Sequence, residues 1–214
     1  MKKTFKRLAL TTALLSAGLA GQAAAAVIDF ETASPYWYSE INDGYAGYNW
    51  DNAWAMHEFS LLIVFPTATG SGYDTGTTGQ YGAYNANAND LSVSVDSGTF
   101  DLGAVDLTAA WTTGLDITVT GLLNGTTQYQ QTVQVDHTAP TNFDFSFLGI
   151  DELIFSSSGG TANPAFPFDG SHFVMDNISL NYSPSVPEPG TLSLLVAGLA
   201  GLGMRWRKRR QSGA

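Results

Sequence analysis

Residues 115–119 spell Leu-Asp-Ile-Thr-Val, an alternation of apolar and polar side chains at every position. The same alternation recurs in 91–95 (Leu-Ser-Val-Ser-Val) and in 143–147 (Phe-Asp-Phe-Ser-Phe). Because successive side chains of a β-strand point to opposite faces, this period of two is typical of strands with one buried and one solvated face. The three stretches therefore predict an antiparallel β fold.

Further strands are predicted around these three, separated by turn residues such as Asn124-Gly125 and Asp169-Gly170. They lie at 27–32, 59–65, 99–109, 127–135, 150–156 and 172–182. No stretch of the middle of the chain shows sustained helical spacing. About nine strands in one domain, residues 27–184, predict an all-β antiparallel β-sandwich of the jelly-roll kind.

The N-terminal segment, residues 1–26, is typical of a secretory signal peptide. A basic start precedes an apolar stretch from Leu8 to Leu19, and Ala24-Ala25-Ala26 supplies a cleavage site before Val27. An uncleaved membrane anchor is the alternative, but the apolar stretch is short for a span. We therefore expect export by the general secretion machinery and cleavage between Ala26 and Val27.

The C-terminal segment, residues 185–214, has three parts. Val186, Pro187, Glu188 and Pro189 precede an apolar run, 192–204, and an arginine-rich end. Thirteen helical residues span about 20 Å, less than the roughly 30 Å hydrocarbon core. The residues alone therefore predict either a short transmembrane tail helix, with its basic end in the cytoplasm, or a sorting signal whose tail is removed.

This order of parts closely resembles the PEP-CTERM sorting signal of exported Gram-negative bacterial proteins. The resemblance implies that exosortase, a membrane-bound transpeptidase-like cysteine protease, processes the chain at the motif 186–189. It also implies an intermediate held in the inner membrane by the C-terminal helix, followed by a location at the cell surface or outside the cell. The association of this family with exopolysaccharide producers implies a role in an extracellular matrix or biofilm.

Charge is divided unevenly along the chain. All nine Lys and Arg residues lie in the two ends, whereas 18 of the 19 acidic residues lie between Val27 and Pro184. A domain with 18 carboxylates and no Lys or Arg repels nucleic acid and anionic membrane surfaces, and it lacks the cationic groups that usually bind phosphate. We therefore exclude nucleic acid as a partner. The chain has no cysteine, so disulfides do not stabilise the exported fold.

The segment from Thr99 to Leu180 resembles the ectodomains often attached to PEP-CTERM signals. Phe100-Asp101-Leu102, Gly149-Ile150-Asp151 and the stretch 173–178 (Phe-Val-Met-Asp-Asn-Ile) carry the likeness. The last of these is similar to the closing strand of galactose-binding-like jelly rolls, in which an aspartate often helps to hold a structural calcium ion. The resemblance implies a fold and no shared activity.

A calcium site is predicted from the acidic residues of the terminal strands. On a regular strand Asp176 shares a face with Val174 and Ile178, and a carboxylate among aliphatic side chains requires a metal ion, hydrogen-bond donors, a histidine or a raised pKa. Asp29 and Glu31 share a face of the first strand, which jelly-roll closure places beside the last. The three carboxylates then converge on structural Ca²⁺. Alternatively, Asp29 and Glu31 are solvated and Asp176 accepts backbone hydrogen bonds.

The region 36–54 is rich in aromatic side chains interleaved with Asn, Asp and Gly. Aromatic faces stack on apolar sugar faces while amides and carboxylates bind hydroxyls, so this composition favours a carbohydrate-binding module. The alternative is that the rings pack into the core or cover the end of the sandwich. The candidate binding residues are Trp37, Tyr45, Tyr48, Trp50 and Trp54, with Tyr36 and Tyr38 in the same run and Tyr73, Tyr81 and Tyr84 as an extension.

Catalytic motifs are not evident in the sequence. The three histidines stand in no recognisable motif, no Gly-x-Ser-x-Gly elbow is present, and any carboxylate pair would be an arbitrary choice. We therefore expect an exported surface or matrix protein that is not an enzyme. A carbohydrate-binding module is the alternative, and a carboxylate-based glycoside hydrolase ranks third.

Overall fold

The computed structural model describes residues 26–166 and 168–183. Residues 1–25 of the predicted signal peptide 1–26 and the predicted sorting segment 185–214 lie outside them. The strands are β1 (Ala26–Ile28), β2 (Tyr38–Glu40), β3 (Asn49–Asp51), β4 (Ala53–His57), β5 (Tyr81–Asn85), β6 (Leu91–Ser94), β7 (Thr99–Ala109), β8 (Thr112–Leu123), β9 (Thr126–Val135), β10 (Thr141–Ile150), β11 (Glu152–Ala162), β12 (Phe173–Asp176) and β13 (Ile178–Ser183). The helices are α1 (Glu58–Val64) and α2 (Gly72–Thr75), with 3-10 turns at Tyr45–Gly47, Pro66–Ala68 and Ala86–Ala88.

The strands form two antiparallel sheets. The larger sheet runs β1-β13-β7-β12-β5-β4-β2, with β10 also paired to β7, and the smaller runs β3-β6-β11-β8-β9. Strand β7 is central, because β10 lies along one side and β12 and β13 lie end to end along the other. This architecture confirms the predicted antiparallel β-sandwich. Strand β1 pairs with β13, so the first and last strands are neighbours, as expected.

The core lies between the two sheets and follows the alternation of the sequence. In β8, Leu115, Ile117 and Val119 are completely buried, whereas Asp116 and Thr118 between them are half-buried on the outer face. The strands β6 and β10 supply Val93 and Phe145 to the same core. Burial of these alternate apolar side chains is the main favourable contribution to folding in a chain without disulfides.

The predicted strand at 59–65 is wrong, because this segment is helix α1. The His57 side chain accepts a hydrogen bond from the Phe59 amide at 3.2 Å and so caps the first turn. Leu61 and Leu62 pack against a buried cluster, while Ile63 is exposed. A short apolar run does not distinguish strand from helix, and the capping hydrogen bond to His57 contributes to the stability of the helix.

The predicted strand at 172–182 is interrupted at Asn177, whose φ of 47° lies in the left-handed region. The break reverses the alternation: Met175 faces the main core before it, and Ile178 faces the same core after it. The expectation that Val174, Asp176 and Ile178 share one face is therefore wrong. Asparagine tolerates the left-handed conformation better than most residues, which explains its place here.

The first strand is shorter than the predicted 27–32, because β1 ends at Ile28. Phe30 has a φ of 59° and is completely buried, and Glu31 begins a turn. Asp29 and Glu31 therefore do not share the face of a strand, which corrects the expectation. None of the helices within 26–166 and 168–183 is long and apolar enough to cross a membrane.

Candidate functional site

A second apolar cluster lies on the outer face of the larger sheet, away from the sandwich core. In β4, Ala53 and Ala55 face the core, whereas Met56 packs against the outer cluster. Helix α1, helix α2 and the segment before β12 cover part of this face. The buried members of the cluster are Ala68, Tyr73, Ala110, Trp111 and Val174, with Met56, Leu61, Leu62, Tyr84 and Phe166 packed against them.

Two adjoining cavities open in this outer cluster and share Met56, Leu61 and Tyr84; together they are named the outer groove. One cavity, of about 270 Å³, is lined by Met56, Leu61, Tyr73, Tyr84, Trp111, Phe168, Asp169 and His172. The other, of about 320 Å³, is lined by Tyr38, Met56, Ser60, Leu61, Phe65 and Tyr84. Their size and their aromatic walls are typical of sites for small ligands or short stretches of a polymer.

Two aromatic rings from neighbouring strands lie at the edge of the outer groove. Tyr38 on β2 is 61% exposed and stacks on Trp54 of β4, with ring centroids 6.3 Å apart and an interplanar angle of 21°. The register places Trp54 directly opposite Tyr84 of β5. Three aromatic side chains on consecutive strands thus form a row along one face, because directly opposed residues in antiparallel strands share a face.

The outer groove also contains polar atoms that no described residue satisfies. Ser60 Oγ and His172 Nδ1 are both buried and have no hydrogen-bond partner in the part of the chain that the structure describes. Burial lowers the pKa of His172, so its imidazole is neutral at pH 7. Burial, with a smaller contribution from Tyr38, raises the pKa of Tyr84 to about 12. These groups are therefore uncharged donors and acceptors, and buried polar atoms without partners need an explanation.

Carboxylates are scarce in the lining of the outer groove and more frequent around it. Among the described residues that line the two cavities, Asp169 is the one acidic residue. Glu40 lies opposite Trp54 in the register of β2 and β4, and Glu58 begins helix α1. Because the chain from 27 to 184 has no Lys or Arg, the potential around the groove is negative and opposes anionic ligands.

The structure divides the five aromatic residues predicted to bind a ligand. Tyr48 and Trp50 are only 4% and 5% exposed and belong to the main core, so their assignment as stacking residues is wrong. Tyr45 is half-buried and packs against the same core, in contact with Phe30. Strand β3, which carries Trp50, lies in the smaller sheet, and this placement turns the ring inward. For these three residues the structure supports the alternative interpretation, in which the aromatic rings pack into or against the core.

The other two predicted residues, Trp37 and Trp54, lie near the surface but on opposite faces. Trp37 is 55% exposed and stacks on His57, with ring centroids 6.1 Å apart. Trp37 immediately precedes β2, and its carbonyl accepts a hydrogen bond from the His57 amide at 2.8 Å. His57 alternates with Met56 along β4, so His57 and the Trp37 ring stacked on it lie away from the outer groove. Trp54 lies on the face of the outer groove. A single flat platform built from both tryptophans is therefore not present.

The three acidic residues predicted to bind calcium have separate surroundings. Asp176, 1% exposed, accepts hydrogen bonds from the amide and hydroxyl of Thr78 at 2.8 and 2.9 Å and from the Asn177 amide at 2.8 Å. Glu31 accepts from the amides of Gln80 and Tyr81 at 2.7 and 3.1 Å. Both carboxylates thus hold the chain 78–81.

Asp29 is exposed and accepts a hydrogen bond from the Glu31 amide at 3.3 Å. Within the described ranges, no three His, Cys, Asp or Glu side chains form a group that could hold a metal ion. Calcium binding therefore stays a prediction. Calorimetric titration of the metal-stripped chain with Ca²⁺, repeated with Asp29→Asn, would measure it: we expect heat that the substitution reduces, and the absence of heat from both proteins would contradict the prediction.

Much of the outer groove was not anticipated from the sequence. Met56, Leu61, Trp111, Asp169 and His172 were not candidate residues, yet they line its cavities. One signal was present in the sequence of 53–56, Ala-Trp-Ala-Met, in which small residues alternate with large ones. The small residues face the main core here, so the large residues are left on the outer face. The contributions of α1 and of the segment 163–172 required the tertiary structure.

The C-terminal segment has a match among protein families. Residues 185–210 match the PEP-CTERM protein-sorting motif. The match confirms the resemblance seen in the Pro-Glu-Pro sequence, the apolar run and the arginine-rich end. The PEP-CTERM motif implies processing by an exosortase-type sorting enzyme and export to the cell envelope or surface.

Solved structures provide a further comparison. A DUF4465-family protein from Bacteroides caccae has a TM-score of 0.49 at 10% identity, over 75% of this chain and 100% of that chain. The tandem family 22 carbohydrate-binding modules of Paenibacillus barcinonensis Xyn10C have a TM-score of 0.40 at 15% identity, over 81% of this chain and 49% of that chain. A family 29 carbohydrate-binding module has a TM-score of 0.38 at 12% identity, over 78% of this chain and 99% of that chain. No curated protein matches the chain by sequence.

Proposed function

We propose that the PEP-CTERM chain is an exported surface or matrix protein whose β-sandwich binds a neutral polysaccharide in the outer groove, without catalysis. The observation that carries the proposal is a groove with aromatic walls, bordered by the exposed Tyr38 ring and by Trp54, on which Tyr38 stacks. A sugar suits such a groove, because its apolar ring face packs on aromatic rings and its hydroxyls form hydrogen bonds with polar groups at the rim.

The charge distribution supports a neutral glycan as the ligand. Anionic polysaccharides would approach 18 carboxylates with no Lys or Arg to offset them. A neutral glycan has no such barrier, and the uncharged His172 and Tyr84 side chains suit hydroxyl groups. A site for phosphate or sulfate esters would instead contain Arg or Lys.

The groove also favours binding over hydrolysis. Glycoside hydrolases of the common kind place two carboxyl groups on either side of the scissile bond, about 5–10 Å apart. Of the lining residues that the structure describes, Asp169 is the one with a carboxylate, so these residues do not offer such a pair. A matrix role follows from combining retention of a polysaccharide with export to the envelope or surface.

The proposal predicts that the aromatic row governs affinity. We expect the purified chain to bind at least one immobilised neutral polysaccharide from a panel of β-glucan, xylan, galactan and mannan, and not alginate. Tyr38→Ala and Trp54→Ala should each weaken binding at least tenfold, because each removes a ring at the edge of the groove. Affinity electrophoresis or calorimetry with the same panel measures the change.

Trp37→Ala is the matched control, because it removes an exposed ring that is next to Tyr38 in the chain but lies away from the outer groove. It should leave the affinity unchanged. Equal losses from Trp37→Ala and Tyr38→Ala would move the site away from the outer groove. Absence of binding to every neutral glycan in the panel would contradict the proposed function.

A further inference from the structure

Strand β9 forms one edge of the smaller sheet. It pairs with β8 along its length, and from Tyr129 to Val135 this pairing runs without interruption. On its other side no described strand is hydrogen-bonded to it. Alternate backbone N–H and C=O groups of this stretch therefore point away from the sheet, toward the side where a further strand would lie.

The other edges of the sandwich are short or irregular. Strands β1, β2 and β3 have three residues each, and β2 and β3 carry Glu40 and Asp51. Strand β10, on the same side of the sandwich as β9, shows two register shifts against β7, and its Ser146 has a φ of 50°. Short length, charge and bulges all hinder the addition of a strand.

Strand β9 has few of these protections. It contains no charged residue and no proline, and its one register shift lies at its start, between Gly121 and Leu122 of its partner. The uncharged stretch extends from 117 to 135, nineteen residues, and is the longest between Val27 and Pro184. Lysine, the residue that most often guards exposed edges, does not occur between Val27 and Pro184.

The side chains of β9 are ordered on the outer face by contacts with β8. Thr132 bonds to Thr118 at 2.8 Å, and Gln130 donates to Thr120 at 3.2 Å. On the inner face Tyr129 stacks on Phe147, with centroids 4.9 Å apart and an interplanar angle of 12°. The edge is therefore held in an extended conformation, and little further conformational entropy is lost when a strand is added.

We propose that β9 pairs antiparallel with β9 of a second copy of this chain. The product is a two-fold symmetric dimer in which two five-stranded sheets form one continuous sheet of ten strands. A two-fold axis perpendicular to the sheet brings outer-face residues beside outer-face residues, here Gln and Thr against Gln and Thr. Because the pairing is isologous, it closes at two copies.

A second copy fits this edge because the strand is its own uncharged complement. Two acidic domains repel each other over most of their surface, and the approach is least unfavourable where neither carries charge. Pairing through β2 or β3 would instead bring Glu40 or Asp51 against the partner. A partner for this edge has to be an uncharged extended strand with unpaired backbone N–H and C=O groups. Strand β9 of a second copy has these properties.

The absence of cysteine from the chain permits a direct test in the full-length protein. Variants with a single cysteine at one of the exposed β9 positions 128, 130, 131, 132 and 134 are expressed in an export-competent bacterium. Envelope extracts are then analysed on non-reducing gels. A disulfide requires Cα atoms within about 7 Å, which antiparallel pairing satisfies at the position nearest the two-fold axis. We expect a covalent dimer there.

Thr118→Cys is the matched control. Thr118 is on β8, directly opposite Thr132 of β9, and so lies one strand farther from the edge. Three strand spacings would then separate the two copies of residue 118, a distance of roughly 14 Å. The dimer yield at the best β9 position should exceed that at 118 at least tenfold. Equal yields, no dimer at any of the five positions, or adducts with a different protein would each overturn the proposal.

A lysine on the edge provides the second test. Thr132→Lys places like charges against each other across the two-fold axis and should reduce the cross-link at the best position at least tenfold. Thr161→Lys, at another exposed strand position, should not. Circular dichroism confirms that both variants are folded. An unchanged cross-link in folded Thr132→Lys would overturn the proposal, whether or not the chain binds polysaccharide.

Discussion

Replacement of Asp176 by alanine is expected to lower the free energy of unfolding by about 2–3 kcal/mol. The carboxylate is 1% exposed and accepts three hydrogen bonds from Thr78 and Asn177. Alanine removes all three acceptors and leaves a cavity beside the break between β12 and β13. A loss of this size should lower the melting temperature by roughly 5 °C, measured by calorimetry or thermal circular dichroism.

The pH dependence of this loss distinguishes the buried carboxylate from an ordinary one. Burial raises the pKa of Asp176, and the nearby Asp106 adds to the effect, while the hydrogen bonds from Thr78 and Asn177 oppose it. The folded chain therefore binds a proton at a higher pH than the unfolded chain. As the pH falls through the raised pKa, the wild type gains stability that Asp176→Ala cannot gain, and the difference between them grows.

Asp90→Ala is the matched control, since Asp90 is exposed. It should change the melting temperature by less than about 1 °C. Equal stability of Asp176→Ala and the wild type at neutral pH would contradict the structural role. A difference that shrinks on acidification would contradict the raised pKa and would indicate a carboxylate stabilised in its charged form.

The antiparallel sandwich was predictable because, in regular strands, the alternation of apolar and polar residues agrees with the alternation of buried and outward-facing side chains. The polar residues of 115–119 and 91–95 mark the outer face, and the structure buries the apolar residues of both stretches except Val95, which is half-buried. No other element has to be known for this inference. The sorting motif was predictable for a similar reason, because its parts follow one another in the sequence and the match to 185–210 confirms it.

Two predicted strands were wrong because of local features of the chain. The run 58–64 is apolar enough for a buried strand, but it forms helix α1, whose first turn is capped by His57. Asn177 reverses the alternation within a stretch that reads as one strand. At Asn177 one residue with a left-handed backbone outweighs the average pattern of its neighbours, whereas at 58–64 the pattern itself fits both a strand and a helix.

The candidate site was less predictable, because it depends on which sheet each aromatic residue joins. Trp50 and Trp54 are four positions apart, yet β3 belongs to the smaller sheet and β4 to the larger. Trp50 consequently lies in the core and Trp54 on the outer face. Composition alone shows that the region is aromatic, but the choice of face follows from long-range pairing with β5 and β6.

The outer groove and the β9 edge belong to different sheets, so the two proposals are separable. The groove is built on β2, β4 and β5 at one edge of the larger sheet, whereas β9 is an edge of the smaller one. A dimer would carry two grooves on one particle, and two linked sites on one polysaccharide bind with an effective concentration that a single site lacks. Loss of the dimer should then weaken binding to long chains while leaving binding to short oligosaccharides unchanged.

Replacement of Gly72 by alanine is expected to destabilise the domain by about 3 kcal/mol and to disturb the outer groove. Gly72 begins helix α2, and its amide donates to the Ala110 carbonyl at 2.8 Å. A Cβ at this position would lie 2.0 Å from the Ala109 carbonyl oxygen and 2.8 Å from the Ala109 carbonyl carbon. Both are backbone atoms of β7, the central strand, so helix α2 has to move.

Movement of α2 displaces Tyr73, the next residue, which is 7% exposed and contacts both Trp111 and Tyr84 in the wall of the groove. We therefore expect Gly72→Ala to weaken glycan binding as well as to lower the melting temperature, both measured on the same preparation. Gly47→Ala is the control: its φ of 87° strains any side chain, but no atom lies within 4 Å of the added methyl group. It should cost only about 1 kcal/mol and leave binding unchanged. Equal stability losses from the two substitutions would show that α2 is not held against β7 as described.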